Sequence, residues 1–216
     1  MYQNVIFDLD GTLLNTLEDL KDSTNYALAQ HGYPTRTLEE VRCFVGNGIR
    51  KLIDRAVPEG TSVEKTDKVF ATFREYYATH SRVKTSMYEG MEQVMDALKE
   101  QNISMAIVSN KADDAVKDLA KYYFVKYIDV AIGEREGISR KPAPDSVYEA
   151  MRLLGATKEN TVYVGDSDVD RATAKNAGIP CISVTWGFRS EELLVSLEPE
   201  YLIHKPEEIL SVVTGK

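Results

Sequence analysis

The sequence of 216 residues is long enough for one large domain, or for a core domain with an inserted segment. Hydrophobic residues make up 43% of the chain and charged residues 28%, which is the balance of an ordinary globular protein. The chain has 26 Lys and Arg against 34 Asp and Glu, a formal net charge of −8. This charge argues against nucleic acid as the main partner, since a phosphate backbone requires a basic face. A small phosphorylated ligand stays compatible, because one lysine, a metal and backbone N–H groups can neutralise it locally.

Neither the cysteines nor the hydropathy indicates a secreted or membrane protein. Cys43 and Cys181 are far apart and lie among apolar residues, which predicts two buried thiols and no disulfide. No apolar stretch is long enough to span a membrane, and the N-terminus lacks the basic region and apolar segment of a secretory signal. We therefore expect a cytoplasmic protein without a membrane partner.

The first fifteen residues carry the most informative pattern in the chain. The apolar run Val5 to Phe7 is followed at once by Asp8, Asp10 and Gly11, which predicts a short strand buried on both faces. The two aspartates are two residues apart and would share one face of the extended chain. Because two close carboxylates repel each other, we expect a cation between them. Mg²⁺ is favoured because it prefers hard oxygen ligands.

The pattern becomes helical after Asn15 and stays helical as far as His80. Thr16 with Asp19 resembles a capping signal, and apolar residues follow at helical spacing. Further helices are predicted at residues 37–44, 49–56 and 63–80. Residues 16–82 therefore form a helical insert without a strand.

From Tyr88 onwards, strand and helix patterns alternate. Strands are predicted at residues 104–108, 128–132, 161–164, 181–184 and 201–203. Helices are predicted at residues 92–101, 112–123, 144–154, 168–177 and 191–197, with one more near the end of the chain. Such alternation predicts an α/β fold with a mostly parallel sheet covered on both faces. The sheet domain would comprise residues 1–15 and 83–216, interrupted by the insert at 16–82.

Polar residues stand at four of the predicted strand ends. In chain order they are Asp8 and Asp10, then Ser109 and Asn110, then Lys141, then an acidic loop with Asp166, Asp168 and Asp170. Because ligands of parallel sheets bind beyond the carboxyl ends of the strands, these side chains are expected to meet at one site. Carboxylates, a lysine, a hydroxyl and a hard metal ion together suit phosphoryl transfer through a covalent carboxyl-phosphate.

Residues 8–13, Asp-Leu-Asp-Gly-Thr-Leu, resemble the first motif of the haloacid dehalogenase (HAD) superfamily of aspartate-nucleophile phosphotransferases. Ser109, Lys141 and Asp166 resemble the later motifs, in the same order, so that the resemblance covers essentially the whole chain. It implies a Rossmann-like parallel sheet core and a four-helix cap domain inserted after the first motif. It also implies a Mg²⁺ cofactor and a small phosphorylated metabolite as substrate.

The resemblance assigns a role to each motif residue. Asp8 would be the nucleophile and Asp10 the general acid and base, while Lys141 would offset the charge of Asp8 and the phosphoryl group. Mg²⁺ would be held by Asp8, by Asp10 through its backbone carbonyl, and by Asp166. The phosphate oxygens would be bound by Gly11, Thr12, Ser109, Asn110 and Lys141.

Three further residues complete this interpretation. Asp170 would orient Lys141 or a metal-bound water from behind, and Asp168 is expected to be a helix N-cap. Asn15 departs from the family pattern, which has an acid near this hinge. An amide keeps the hydrogen bonds but loses the charge, so the movement of the cap is expected to differ.

The substrate is indicated less directly. Residues 44–50, Phe-Val-Gly-Asn-Gly-Ile-Arg, together with residues 88–90 and 184–187, resemble the phosphoglycolate phosphatase branch. By that resemblance Asn47 and Arg50 would contact the non-phosphate end of the substrate, where an arginine suits a carboxylate. The alternative is that Gly46 and Gly48 only end one helix and start the next, with Arg50 in solvent.

The resulting hypothesis is a Mg²⁺-dependent, phosphoglycolate phosphatase-like hydrolase that forms an aspartyl-phosphate on Asp8. One alternative is a β-phosphoglucomutase-like isomerase, since the cap arrangement is similar. Another is a pyrophosphatase or nucleotidase with the same core. The alternative outside enzymes is a catalytically silent binding protein, but such a protein needs no crevice with so many like charges. Monomer and homodimer stay open.

Overall fold

The computed structural model describes residues 1–215, which divide into two compact units. One unit comprises residues 1–14 and the chain from Met87 onwards, and the other comprises Asn15–Ser86. These boundaries differ by one residue and by four residues from those expected from the sequence at 15/16 and 82/83. Among the described residues, no helix has the length and apolarity needed to cross a membrane.

The larger unit is built on a six-stranded sheet in the order β5-β4-β1-β6-β7-β8, and all neighbouring strands in it are parallel. Two short strands, β2 and β3, form a separate pair at the points where the chain passes between the units. The predicted α/β fold with a parallel sheet is thus confirmed. The strands are β1 (Asn4–Phe7), β2 (Leu14–Asn15), β3 (Ser86–Met87), β4 (Ser104–Ala112), β5 (Val130–Glu134), β6 (Thr161–Gly165), β7 (Cys181–Val184) and β8 (Tyr201–Ile203).

The central strand β1 lies between two apolar layers. Its residues are all buried, and successive side chains point to opposite faces. Val5 and Phe7 join one core cluster with Leu98, whereas Ile6 joins the other with Ala150. The continuous apolarity of this strand is therefore the pattern of a strand covered on both faces.

Helices supply the apolar layers on either face of the sheet. In one core cluster, residues of α5, α6 and α10 pack on the sheet, and in the other, residues of α7 and α8 do so. The helices of this unit are α5 (Met91–Glu100), α6 (Asp113–Tyr123), α7 (Asp145–Leu154), α8 (Asp168–Ala177), α9 (Glu191–Ser196) and α10 (Glu208–Thr214).

The smaller unit, Asn15–Ser86, contains the helices of the predicted insert. They are α1 (Leu17–Gln30), α2 (Leu38–Phe44), α3 (Ile49–Ala56) and α4 (Val63–His80). Helix α2 begins at a capping box, in which the Thr37 hydroxyl accepts from the Glu40 backbone N–H and the Glu40 carboxylate accepts from the Thr37 backbone N–H. The predicted helical insert near the N-terminus is confirmed, and α3 and α4 have the bounds that the periodicity predicted.

Two local predictions in this unit are wrong. Thr16 is the N-cap residue of α1 but makes no side-chain capping bond; the Asp19 carboxylate instead accepts from the backbone N–H groups of Lys84 and Thr85. A carboxylate near the start of a helix accepts hydrogen bonds from whichever donors the fold brings close to it. Here these donors lie 65 and 66 positions away in the sequence. Cys43 is exposed rather than buried, although Cys181 is buried and both thiols are free as expected.

Candidate active site

Parallel pairing brings the polar strand ends to one edge of the sheet. Phe7 at the end of β1 lies opposite Ile107 of β4 and opposite Val164 of β6. The residues that follow these positions therefore meet beyond the same edge, as expected for a ligand crevice in a parallel sheet. They include Asp8 after β1, Ser109 near the end of β4 and Asp166 after β6.

Lys141 lies at the centre of this group. Its Nζ is 2.8 Å from Asp8 Oδ1, 2.7 Å from Asp170 Oδ1 and 2.9 Å from the Tyr163 hydroxyl. An ammonium group has three N–H donors, so these contacts use all of them. Burial opposes the charge of Lys141, but Asp170 and Asp8 outweigh that effect and raise its pKa well above the ordinary value. The lysine is thus a fixed positive charge beside Asp8.

Asn110 holds the loop that carries Lys141. Its side-chain Oδ1 accepts from the Lys141 backbone N–H at 2.9 Å, and its Nδ2 donates to the Lys141 carbonyl at 3.1 Å. The next peptide bond, Lys141–Pro142, is cis. The side-chain amide predicted to bind phosphate is therefore engaged in holding Lys141.

The acidic loop after β6 orders its aspartates by capping α8. Ser167 is the N-cap residue: its hydroxyl accepts from the Asp170 backbone N–H, and its own backbone N–H donates to Asp170 Oδ2. The prediction that Asp168 is the N-cap is wrong, because a hydroxyl one residue earlier fulfils that role. Asp168 instead pairs with Arg189 at 3.1 Å.

Asp170 is surrounded by donors on both of its oxygen atoms. Oδ1 accepts from Lys141 and from the Tyr163 hydroxyl at 3.0 Å, and Oδ2 accepts from the Ser167 hydroxyl and backbone N–H. The side chain is 1% exposed. These contacts hold the Asp170 carboxylate against Lys141 Nζ.

Asp166 is buried between two loops of the same unit. Its Oδ1 accepts from the Thr12 hydroxyl at 3.1 Å and its Oδ2 accepts from the Phe188 backbone N–H at 2.7 Å. Burial raises the pKa of Asp166 to about 7, and the charge of Asp170 adds to this rise. The carboxylate is held in place at an electrostatic cost, which a nearby cation would remove.

Two glycines allow the loops to close on Asp166. A Cβ on Gly187 would lie 2.2 Å from Asp166 Cβ, and a Cβ on Gly11 would lie 2.5 Å from Asp166 Oδ2. Gly11 also has a φ of +90°, a conformation that other residues rarely adopt. The positions of Gly11 and Gly187 thus determine how deeply this carboxylate is enclosed.

Gly187→Ala is expected to destabilise the protein by about 1–3 kcal/mol, the usual cost of forcing a methyl group into a packed site. The Asp166 side chain must move to accommodate the new Cβ. Denaturant unfolding of the variant measures this cost, with Glu192→Ala on the exposed face of α9 as the control. Unchanged stability of Gly187→Ala would contradict the close contact.

Three carboxylates come close enough to hold a metal ion. Ligand atoms of Asp8, Asp166 and Asp170 lie within 4.8 Å of one another, and all three residues are buried. Burial raises the pKa of Asp8 well above its ordinary value, against the lowering effect of Lys141. Buried carboxylates of this kind suit a small divalent cation with hard oxygen ligands. The residues present therefore fit Mg²⁺.

The side chain of Asp10 is engaged differently from that of Asp8. Its Oδ1 lies 2.7 Å from Lys111 Nζ, in a pair whose lysine side chain is 2% exposed. Ser109, the predicted phosphate-binding hydroxyl, is buried and accepts from the Lys111 backbone N–H at 3.2 Å. The carboxyl group of Asp10 is thus directed at a lysine near the end of β4.

Three participants in this site were missed in the sequence analysis: Lys111, the Tyr163 hydroxyl and the Phe188 backbone N–H. Lys111 directly follows Ser109 and Asn110, and that position was the available signal. Tyr163 lies within an apolar strand and looks like a core residue. A backbone N–H carries no signature in the sequence at all. Trp186 donates from Nε1 to the Thr12 carbonyl at 3.1 Å.

The two substrate residues predicted at 44–50 belong to the smaller unit, where both make contacts within that unit. Arg50 is paired with Asp54 at 2.8 Å and with Asp67. The Asn47 side-chain oxygen accepts from Arg55 at 2.8 Å, and Arg55 also donates to the Phe44 carbonyl. Arg55 therefore braces the loop that contains Gly46, Asn47 and Gly48.

Comparison with known proteins identifies the family of this chain and several relatives. The profile of the haloacid dehalogenase-like hydrolase family matches residues 5–184. Phosphoglycolate phosphatase 1 of Pseudomonas aeruginosa is 32% identical, over 95% of this chain and 78% of its own length. Pyrophosphatase PpaX of Halalkalibacterium halodurans is 30% identical, over 98% of this chain and 97% of its own length.

A solved structure extends the similarity to three dimensions. A protein of Lactobacillus delbrueckii subsp. bulgaricus, provisionally named phosphoglycolate phosphatase, is 33% identical to this chain and superposes with a TM-score of 0.94. The match covers 100% of this chain and 99% of the other.

Proposed function

The chain belongs to the haloacid dehalogenase-like hydrolase family, and we propose that it is a Mg²⁺-dependent phosphatase that forms an aspartyl-phosphate on Asp8. The substrate would be a small phosphorylated metabolite. The observation that carries this proposal is the buried contact of Asp8 with Lys141, next to Asp166 and Asp170. Keeping three carboxylates together away from solvent is costly for folding, and such clusters are typical of functional sites.

The first chemical step would use Asp8 and Asp10. A carboxylate oxygen of Asp8 attacks phosphorus, and the bond between phosphorus and the leaving oxygen breaks. Asp10, in its acid form, gives its proton to that oxygen. Lys141 keeps its positive charge beside Asp8 and offsets the charge of the phosphoryl oxygens.

The second step would return the enzyme to its starting state. Asp10, now a carboxylate, takes a proton from water as the water oxygen attacks phosphorus. The bond between phosphorus and Asp8 breaks, releasing inorganic phosphate and the free Asp8 carboxylate. The Ser109 hydroxyl would bind phosphoryl oxygens during both steps. The backbone N–H groups of Gly11 and Thr12, which were expected to bind them as well, donate instead to the Leu14 and Leu9 carbonyls.

Asp8, the Asp10 carbonyl and Asp166 would hold Mg²⁺, which when bound neutralises charge between the nucleophile and the phosphate. Asp170 would lie behind these metal-binding residues, since both of its oxygens already accept from Lys141, Tyr163 and Ser167. Its contribution would be to hold Lys141 in position.

Two relatives suggest two different substrates for the same type of reaction. The Pseudomonas protein is named a phosphoglycolate phosphatase and the Halalkalibacterium protein a pyrophosphatase, at similar identity to this chain. We propose phosphoglycolate as the first substrate to test and pyrophosphate as the second. In the first case Asn47 and Arg50 would contact the glycolate end, and Arg50 would have to leave Asp54 or Asp67 to do so.

Removing the metal is expected to slow turnover strongly. Phosphate release would be measured from 2-phosphoglycolate, pyrophosphate, nucleotides and sugar phosphates, with Mg²⁺ and with EDTA. Because the substrate and Asp8 are both negative, we expect EDTA to reduce the rate by about a hundredfold or more. Mg²⁺ restored in excess should recover the rate, which shows that chelation has not unfolded the protein.

The pattern across the panel distinguishes the alternatives. Release concentrated on 2-phosphoglycolate supports the first substrate, and release concentrated on pyrophosphate supports the second. Slow turnover that sugar bisphosphates accelerate would favour the mutase. Equal rates with and without EDTA would contradict the metal-dependent mechanism.

A further inference from the structure

A buried lysine that the proposed mechanism does not use lies beside the proposed acid and base. Lys111 is the residue before the last in β4, and its Nζ lies 2.7 Å from Asp10 Oδ1. Its backbone N–H donates to Ser109 Oγ. The backbone of Lys111 is thus held by the hydroxyl proposed to bind phosphate, and its side chain is held by the carboxyl group proposed to transfer the proton.

The contact with Asp10 defines where the Lys111 charge acts. In the proposed chemistry Asp10 reaches the leaving oxygen, so its carboxyl group lies on the leaving side of the phosphorus atom. Lys111 contacts that same carboxyl group and therefore lies on the leaving side as well. Lys141 contacts Asp8, the group that attacks from the opposite side. One buried lysine thus lies on the leaving side of the phosphorus atom and the other on the attacking side.

We propose that Lys111 binds an anionic group on the leaving part of the substrate. This inference rests on the proposed function and narrows it to one substrate class: phosphate esters and anhydrides whose leaving group carries its own negative charge. In 2-phosphoglycolate that group is a carboxylate, and in pyrophosphate it is the second phosphate. One lysine would therefore account for both of the substrates suggested by the relatives.

The surroundings of Lys111 favour this role. Its side chain is 2% exposed, and a charge-assisted hydrogen bond is stronger away from solvent than at the surface. The other cation considered for the same task, Arg50, is paired with carboxylates just as Lys111 is, but a third of its side chain is exposed, and solvent weakens the contacts that it makes. Because its side chain is buried, Lys111 would give the stronger contact to a substrate anion.

The test compares two substrates that differ only in this anion. These are 2-phosphoglycolate and 2-hydroxyethyl phosphate, which replaces the carboxylate by a neutral alcohol at similar length. For the wild-type protein with Mg²⁺, the kcat/KM ratio of the first to the second is expected to be about tenfold to hundredfold, the range for one charge-assisted hydrogen bond. This measurement needs no variant, so it does not depend on how a substitution folds.

Variants then assign the preference to Lys111. Lys111→Met is expected to lower activity on both substrates, because Asp10 loses a partner, but to lower the ratio between them towards one. Lys111→Arg keeps the charge and should recover at least part of the ratio. Lys117→Met, an exposed lysine on α6 whose partner is Asp113, is the matched control and should leave the ratio at its wild-type value.

Each outcome has a definite meaning. A wild-type ratio near one, with clear turnover of both substrates, overturns the inference and leaves the proposed phosphatase intact. A high ratio that folded Lys111→Met retains also overturns it, and Arg50→Ala would then be the variant to examine. Absence of turnover of every phosphate compound with Mg²⁺ is the failure of the proposed function itself, which is a different result.

Discussion

Asp8→Asn is expected to reduce phosphate release by about 10⁴-fold or more, because an amide cannot form the bond to phosphorus that the mechanism requires. The loss should be the same for every substrate that the wild-type protein hydrolyses. Steady-state phosphate release with saturating Mg²⁺ measures it. Trapping of labelled phosphate on the acid-quenched protein gives an independent readout, since only the wild-type protein should retain label.

The same variant should fold at least as well as the wild-type protein. Asp8 is a buried carboxyl group whose pKa is held high by burial and by two neighbouring acids, and an amide of the same shape removes that repulsion. Asp96→Asn makes the identical chemical change at an exposed position of α5 and should retain full activity. Turnover by Asp8→Asn within tenfold of the wild-type rate would contradict a covalent intermediate on this residue.

Lys141→Met is expected to destabilise the metal-free protein by about 3–5 kcal/mol, the usual effect of leaving one side of a buried ion pair uncompensated. The lysine is paired with two carboxylates, Asp8 and Asp170, and all three side chains are nearly inaccessible. Its removal also takes away the positive charge beside the nucleophile, so activity should fall by about a thousandfold. Denaturant unfolding in EDTA and phosphate release in Mg²⁺ measure the two effects.

A double variant separates this electrostatic cause from loss of packing. Asp8→Asn combined with Lys141→Met leaves one fewer unpaired carboxylate, so it should be more stable than Lys141→Met alone. Lys117→Met, at an exposed lysine, should change stability little. A double variant no more stable than Lys141→Met would show that the charges are not the cause.

Much of the fold follows from local patterns that the sequence contains. The uninterrupted apolar run of β1 and the alternation after Tyr88 were sufficient for a parallel α/β sheet. The bounds of α3, α4, α8 and β7 follow from periodicity and from capping residues. Such features depend on neighbours within a few positions, and local physical chemistry decides them. The meeting of the polar strand ends at one edge of the sheet also follows, because parallel strands place their carboxyl ends together.

The partners within the candidate site depend on long-range contacts, and the tertiary structure decided them. Tyr163 looks like any core residue of a strand, and only the pairing of β1 with β4 and β6 brings its hydroxyl to Lys141. Asp168 was the expected N-cap of α8, but the fold pairs it with Arg189, and the Ser167 hydroxyl caps the helix.

Lys111 is the clearest case of a contact that only the tertiary structure decided. The register between β4 and β5 shifts between Val108 and Ala112, so strand alternation alone does not determine where this side chain points. Its contact with Asp10 joins residues 101 positions apart. The sequence specifies which charged residues are available. Packing of distant segments determines which of them come into contact, because a buried charge is stable only beside a partner that the whole fold provides.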